Sequence, residues 1–500
     1  MRFQNKYLWI VFSIAGIGLQ SCGSSKKAYV PSQKLSPHQL KEDFDIGWKT
    51  YQKNHPSYDW FTPADSVNAR FAAVRVSLTD SLTEPEFRLR LSYAVSLIRC
   101  GHTSVIPSKS YQRYAKDYKG PSFPLSVKIW GKDSMVVIRN FLGDTSPIRR
   151  GTTITAINDI RVDVFIEQMK QYASTDGFSD GFKENQISAS FPARFRWLYG
   201  LAENYRISFI DSIGRPAKMS LANYIPGKKD SLQFKTTSKT LDKKKEKTKK
   251  ITTPSYGKFS IDTARDLAVM ELNTFSHSKL PRYIRSCFKK IKKEGVPNMV
   301  IDLRSNGGGK IDNSTLLTRY IIDKPFRVAD SVSAKDLRLA YPQYTQAAWL
   351  YRYFRWTYSQ KKEDGRWHMQ QTERKIYKPQ KKNHFDGNLF VLTGGTTFSA
   401  SLLFLSKVFQ QENVTIVGEE TGGGARGNSA VMIPKITLPN SKVQLRLPLF
   451  RLISDITLPQ NGRGILPEVF VRPGARNIRE NTDAKMEKVY KLISLKLNDK

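Results

Sequence analysis

The chain has 500 residues, 39% of them apolar and 11% aromatic, which allows two to four domains with sizeable cores. Its 81 Lys and Arg against 44 Asp and Glu leave a formal charge of +37, suited to anionic surroundings such as phospholipid headgroups or surface polysaccharide. The basic residues are scattered rather than striped, and the one dense run, Lys243 to Lys250, reads as a solvated linker, so nucleic acid is set aside as a partner.

Arg2 and Lys6 precede an apolar run from Leu8 to Leu19 that is short for a bilayer span but suits the core of a secretory signal. Leu19-Gln20-Ser21-Cys22 then resembles the lipobox of bacterial lipoproteins. That resemblance implies a signal peptide over residues 1–21, a lipidated Cys22, a membrane partner held through the lipid anchor and a place in the bacterial cell envelope. Residues 22–36 read as a tether. Cys100 and Cys287 either pair or stay buried as thiols; no Cys spacing suggests a metal site, and no metal or cofactor is expected.

Residues 37–115 have a helical pattern, with Phe87, Leu89, Leu91, Ala94, Val95 and Leu97 in a mostly helical period before Cys100-Gly101 stops it. His102 follows in GHTSV. A His just past a helix end either caps it or projects into a cleft as a general base. Residues 116–172 hold short strands, an apolar-Pro-basic-Gly turn, an alternating strand through Ile154 and Ile157, and an Asn158-Asp159 turn. Together they resemble a PDZ domain, which implies docking of an extended peptide on a sheet edge; an ordinary small β-domain is the alternative. Residues 173–255 form a connecting segment with one hairpin and the Lys-rich linker.

From Leu267 the pattern becomes strand-helix-strand, the mark of a parallel sheet with covering helices, and it runs over residues 256–475. One strand ends in Gly307-Gly308-Gly309, whose backbone can approach a ligand closely or simply turn. Residues 326–386 read as a polar, aromatic-rich excursion. The apolar run Leu389 to Leu392 then stops at Gly394-Gly395, and Leu402, Leu403, Leu405, Val408 and Phe409 recur at helical spacing, which puts Ser399 at a helix start. There it either caps the helix or serves as a nucleophile beside unpaired amides that can hold an oxyanion. Ser401 is expected to tolerate Ala. A basic helix closes the chain over residues 476–500.

The strings VIDLRSNGGG, TTFSAS, IVGEETGGGA and GRGILPEVFV, in that order and after GHTS, resemble peptidase family S41, the C-terminal processing and tricorn-type serine proteases. The resemblance implies an α/β, crotonase-like core beside the helical and PDZ-like parts, and an endopeptidase that cuts unfolded or C-terminal segments of a polypeptide substrate. It puts the nucleophile on Ser399 and the oxyanion amides on Gly308 and Ala400. The Lys base of the processing branch is absent, since Gly424 stands at its place, and His102 matches the base of the tricorn-like branch. Its acylation rate is then expected to climb through an ordinary His ionisation. The family's orienting acid falls near Gln460 and Asn461, with Glu468 inside the final string. The fold is also shared by retinoid-binding modules, so a non-catalytic ligand- or peptide-binding protein is the alternative reading.

Overall fold

The computed structural model describes residues 28–143, 146–227 and 255–498. The signal peptide, Cys22, the first part of the tether and the Lys-rich run lie outside the described residues. No helix among the described residues is long and apolar enough to cross a membrane.

The first helix, Pro37–Asn54, starts where its sequence says it should: Pro37 follows Ser36, and Ser36 and Gln39 cap each other reciprocally at 3.0 and 3.4 Å. Thr83 and Glu86 repeat the device before the helix Glu84–Ser96. The expected separate helical domain at 37–115 is not what forms. Phe44, Phe71, Phe87 and Leu91 share one core with Leu445, Leu447, Phe450 and Leu452, and buried Asp43 accepts from the Asn440 and Ser441 amides at 2.9 and 2.7 Å. The helices complete their burial on the C-terminal half.

A six-stranded antiparallel sheet follows, ordered Leu125–Trp130, Ser134–Asn140, Thr153–Ile157, Asn204–Ile210, Pro216–Ala222, with Ile160–Arg161 beside the third strand. The expected boundary at 172 is therefore displaced. Ile154 and Ile157 face Phe209 and Ile207 across the ladder, so the hairpin assigned to the connecting segment completes this sheet, which closes at Ala222. Phe165, Ile187, Phe191 and Phe195 cover it.

The central sheet has six strands in the order Gly257–Asp262, Leu267–Leu272, Asn298–Asp302, Asn388–Thr393, Val414–Gly418, Val469–Phe470. The first pair is antiparallel and every later pair parallel. Parallel strands covered on both faces need apolar side chains on both faces, which explains the unbroken runs. Leu389 and Val391 pack under Phe288, Phe404 and Leu405, while Phe390 and Leu392 meet Val489 and Ile493 of the helix Ala484–Asn498 on the other side. Truncating Phe390 to Ala is expected to cost roughly 3–5 kcal/mol.

The stretch 326–386 is less of an excursion than its polarity suggests, because Ser331–Ala334 pairs with Phe450–Ile453 in a five-stranded sheet. Cys100 and Cys287 are buried in different cores and both are free thiols.

Candidate active site

Two loops leave the carboxyl ends of neighbouring parallel strands, where open α/β sheets bind ligands. One follows Asn298–Asp302 and carries the glycines; the other follows Asn388–Thr393 and ends at Ser399. They are fastened together. Thr397 Oγ1 donates to Leu303 O at 2.8 Å, the Phe398 amide to Asn306 O at 3.1 Å, and Ser401 Oγ to the same carbonyl at 3.0 Å.

Ser399 itself has φ 55° and ψ −117°, in the left-handed half of the backbone map, immediately before the helix Ala400–Val408. A non-glycine residue held there stores strain that the loop contacts must offset, and such strain on a Ser between strand and helix is the geometry of a nucleophile elbow. Ser401 is not the neutral neighbour expected. It is fully buried and its hydroxyl ties the elbow to the glycine loop, so Ser401→Ala is expected to destabilise by about 1 kcal/mol in chemical denaturation.

His102 arrives from the far end of the chain. The strand Ser104–Ile106 pairs with Gln444–Arg446, Thr103 Oγ1 lies 2.7 Å from His55 Nε2, and the Gly101 amide donates to Asp176 Oδ1 at 2.7 Å. Gly101 has to be Gly, since a Cβ would stand 2.5 Å from the Phe398 ring. Phe398 in turn lies 4.8 Å from the His102 ring and stacks on Phe182 at 4.4 Å. So held, His102 Nε2 sits 3.1 Å from Ser399 Oγ, across 297 residues of sequence. Burial, aided by the Arg446 charge, pushes the His102 pKa down to about 3, so the imidazole is neutral and able to accept a proton over the whole neutral range.

Gly308 also reaches the elbow. A Cβ on it would meet Ser399 Cβ at 2.6 Å, and its φ of 99° suits Gly alone. Its amide, however, donates to Asn306 Oδ1 at 2.9 Å, so the donor expected from Gly308 is engaged. The Ala400 amide, at the first helical position, has no hydrogen-bond partner among the described residues and opens on Ser399.

The three expected orienters do not reach the His. Gln460 and Asn461 are exposed, and Asn461 Oδ1 instead accepts from the Arg463 amide at 3.0 Å in a local turn. Glu468 accepts from the Ile416 amide at 2.5 Å, an edge contact of the central sheet. His102 Nδ1 is buried with no hydrogen-bond partner among the described residues.

Asp176 gave no signal in the sequence beyond a turn-like Asp-Gly, yet it holds the backbone next to His102. It is 1% exposed, and burial raises its carboxyl pKa to about 7 against the pull of the Gly101 amide. Between the ordinary Asp value and 7 the unfolded chain gives up this proton while the folded chain keeps it, so the group's contribution to stability falls as pH rises through that window. Asp176→Asn keeps an acceptor for Gly101 and removes the ionisation. Its melting temperature, measured against the wild type, should show a gain that is small at pH 4 and grows to several degrees above pH 7.

Ser399, His102 and Gly308 open on a cleft of about 1020 Å³, also lined by Lys310, Lys375 and Arg446. A neutral imidazole on a strained Ser beside a helix-start amide can carry out acyl transfer.

The model of Peptidase family S41 matches residues 266–471, which include Ser399, Gly308 and Ala400 but leave His102 outside. Among solved structures, mature CPAF complexed with lactacystin superposes with a TM-score of 0.64 at 12% identity, over 93% of this chain and 100% of that one. Mature CPAF does so with 0.62 at 12% identity, over 92% and 98%. At such identity the likeness concerns the fold. Among curated proteins, none matches the chain in sequence.

Proposed function

We propose that the chain, whose residues 266–471 match the model of Peptidase family S41, is a serine endopeptidase working through Ser399 and His102, on unfolded or C-terminal segments of polypeptides. The observation that carries this reading is the 3.1 Å approach of His102 Nε2 to the hydroxyl of a strained Ser at a helix start. In the acylation step Ser399 Oγ attacks the scissile carbonyl carbon and passes its proton to His102 Nε2. The carbonyl electron pair moves to oxygen, where the Ala400 amide receives it; a second donor requires the Gly308 amide to leave Asn306. On collapse the C–N bond breaks and His102 returns the proton to the leaving amine. Among the described residues no carboxylate steadies the imidazolium, so the base is weak and turnover modest.

The sheet over residues 125–222 supports a PDZ-like docking role, with its last strand, Pro216–Ala222, mostly exposed at the edge where a peptide strand can add. The unpartnered Nδ1 of His102 favours one alternative, a protein that binds peptide in the cleft without cutting it. Incubation with an unfolded polypeptide separates the two: new termini that Ser399→Ala protein does not generate support the peptidase, and bound but intact polypeptide favours the alternative.

The placement is a lipid-anchored one in the cell envelope, supported by the basic start, the short apolar run and Cys22. Cys22→Ser is expected to move the protein from the membrane fraction to the soluble one after a high-salt wash, the salt removing attraction due to the positive charge. Retention of the variant on washed membranes contradicts the anchor.

A further inference from the structure

A second cavity, of about 350 Å³, shares Gly101, Phe182 and Arg446 with the Ser399 cleft. Its wall presents three guanidinium groups, those of Arg88, Arg194 and Arg446, and no carboxylate side chain among the described residues that line it. Arg88 is 4% exposed. Its Nη1 pairs with Glu84 at 3.3 Å, but that carboxylate is also held by Ser108, and Arg88 Nη2 is buried without a partner among the described residues. Tyr111 and Trp197, with ring centres 4.6 and 4.8 Å away, fix the guanidinium plane. Among the described residues the Arg194 guanidinium has only the Ser190 hydroxyl, at 3.0 Å, and burial pushes its pKa down to about 10. Arg446 makes no ion pair among the described residues.

Among the described residues, three cations thus line the cavity, and the one carboxylate paired with any of them, Glu84, is outside its lining. Burying a cation without an anion is costly, and a planar guanidinium recovers the cost best from a carboxylate or phosphate that it can grip with two donors. Neutral hydroxyls at Ser92, Ser104 and Ser190 can take up remaining lone pairs, and the volume suits a small polar group rather than a large apolar one.

We propose that this cavity is an anion subsite that takes a carboxylate, supplied by an acidic side chain of the polypeptide lying in the Ser399 cleft. The shared wall favours that source over a free anion: Arg446 faces both spaces, and Phe182 lines both while stacking on Phe398 beside Ser399. The inference rests on the cleft being where a peptide binds. It makes the enzyme selective for acidic segments, which the charge of +37 would also draw in.

The test uses full-length Ser399→Ala protein, so that binding is read without turnover, and fluorescent peptides that differ only by Glu or Gln at one position, scanned along the peptide. At one position the Glu peptide should bind at least about tenfold more tightly. Arg194→Gln, which touches only the second cavity, should cut that preference below about threefold without weakening the Gln peptide, and Arg194→Lys should restore part of it, which a merely structural Arg would not. Equal affinity of the Glu and Gln peptides at every position overturns the acidic-side-chain source. Succinate binding, measured by calorimetry on the wild type and on Arg194→Gln, then distinguishes the free-anion source: heat lost in Arg194→Gln assigns the cavity to a small carboxylate, and no heat in the wild type overturns the subsite altogether. Should no peptide bind at all while succinate does, the peptide reading of the cleft fails and the anion site stands alone.

Discussion

Ser399→Ala is expected to lower peptide turnover by at least about a thousandfold while leaving the protein folded. The size of the effect follows from chemistry, since no other hydroxyl lies within hydrogen-bond distance of His102 among the described residues. The intact fold follows from contacts. The loop is held by Thr397, Phe398 and Ser401 through Leu303 and Asn306, and the Ser399 hydroxyl contributes only its approach to the imidazole. Turnover of a fluorogenic peptide, together with an unchanged circular dichroism spectrum, checks both halves; a residual rate within about tenfold of the wild type contradicts the nucleophile.

His102→Ala should cost a comparable factor, about a thousandfold or more, because Ser is a poor nucleophile without its base. Lys407→Ala serves as the contrast. Lys407 belongs to the helix after Ser399, and its Nζ donates to Ser454 O at 2.6 Å, so it points elsewhere and its loss should leave turnover nearly unchanged. The pH profile carries a separate signature. With the His102 pKa pushed down to about 3, its neutral fraction is complete well below pH 5, and kcat/KM should be level from pH 5 to 9 rather than climb through the ordinary His range. The same shift has a stability sign. A His whose folded pKa is depressed charges only in the unfolded chain between about 3 and the ordinary value, so its contribution is full above pH 6.5 and falls as pH drops through that window. His55, pushed to about 3 chiefly by burial, adds to the same acid sensitivity.

The central strands and the helix start at Ser399 were legible because each follows from a local pattern, whereas the strain at Ser399 was not. An unbroken apolar run such as Leu389 to Leu392 needs cover on both faces, and a Ser between glycines and a helical period can only start that helix. His102 was legible by its string, but its depressed pKa was not, since that depends on burial beside Phe398 and Arg446 from distant segments. Asp176 was missed for the same reason: its role lies in one bond to Gly101, 75 residues away. The orienter failed where sequence position stood in for space. Glu468 sits in the family string but spends its carboxylate on the sheet edge at Ile416. The helical and β-domain boundaries moved because Leu445 and Phe209 complete cores begun hundreds or dozens of residues earlier.

The most direct measurement of the Ser399–His102 pair is labelling of the full-length protein with a fluorophosphonate, the adduct being located by peptide mass spectrometry. The pair predicts an adduct on Ser399 that forms at a level rate from pH 5 to 9 and slows by orders of magnitude in His102→Ala. Absence of an adduct on Ser399, or its formation at an equal rate without His102, contradicts it.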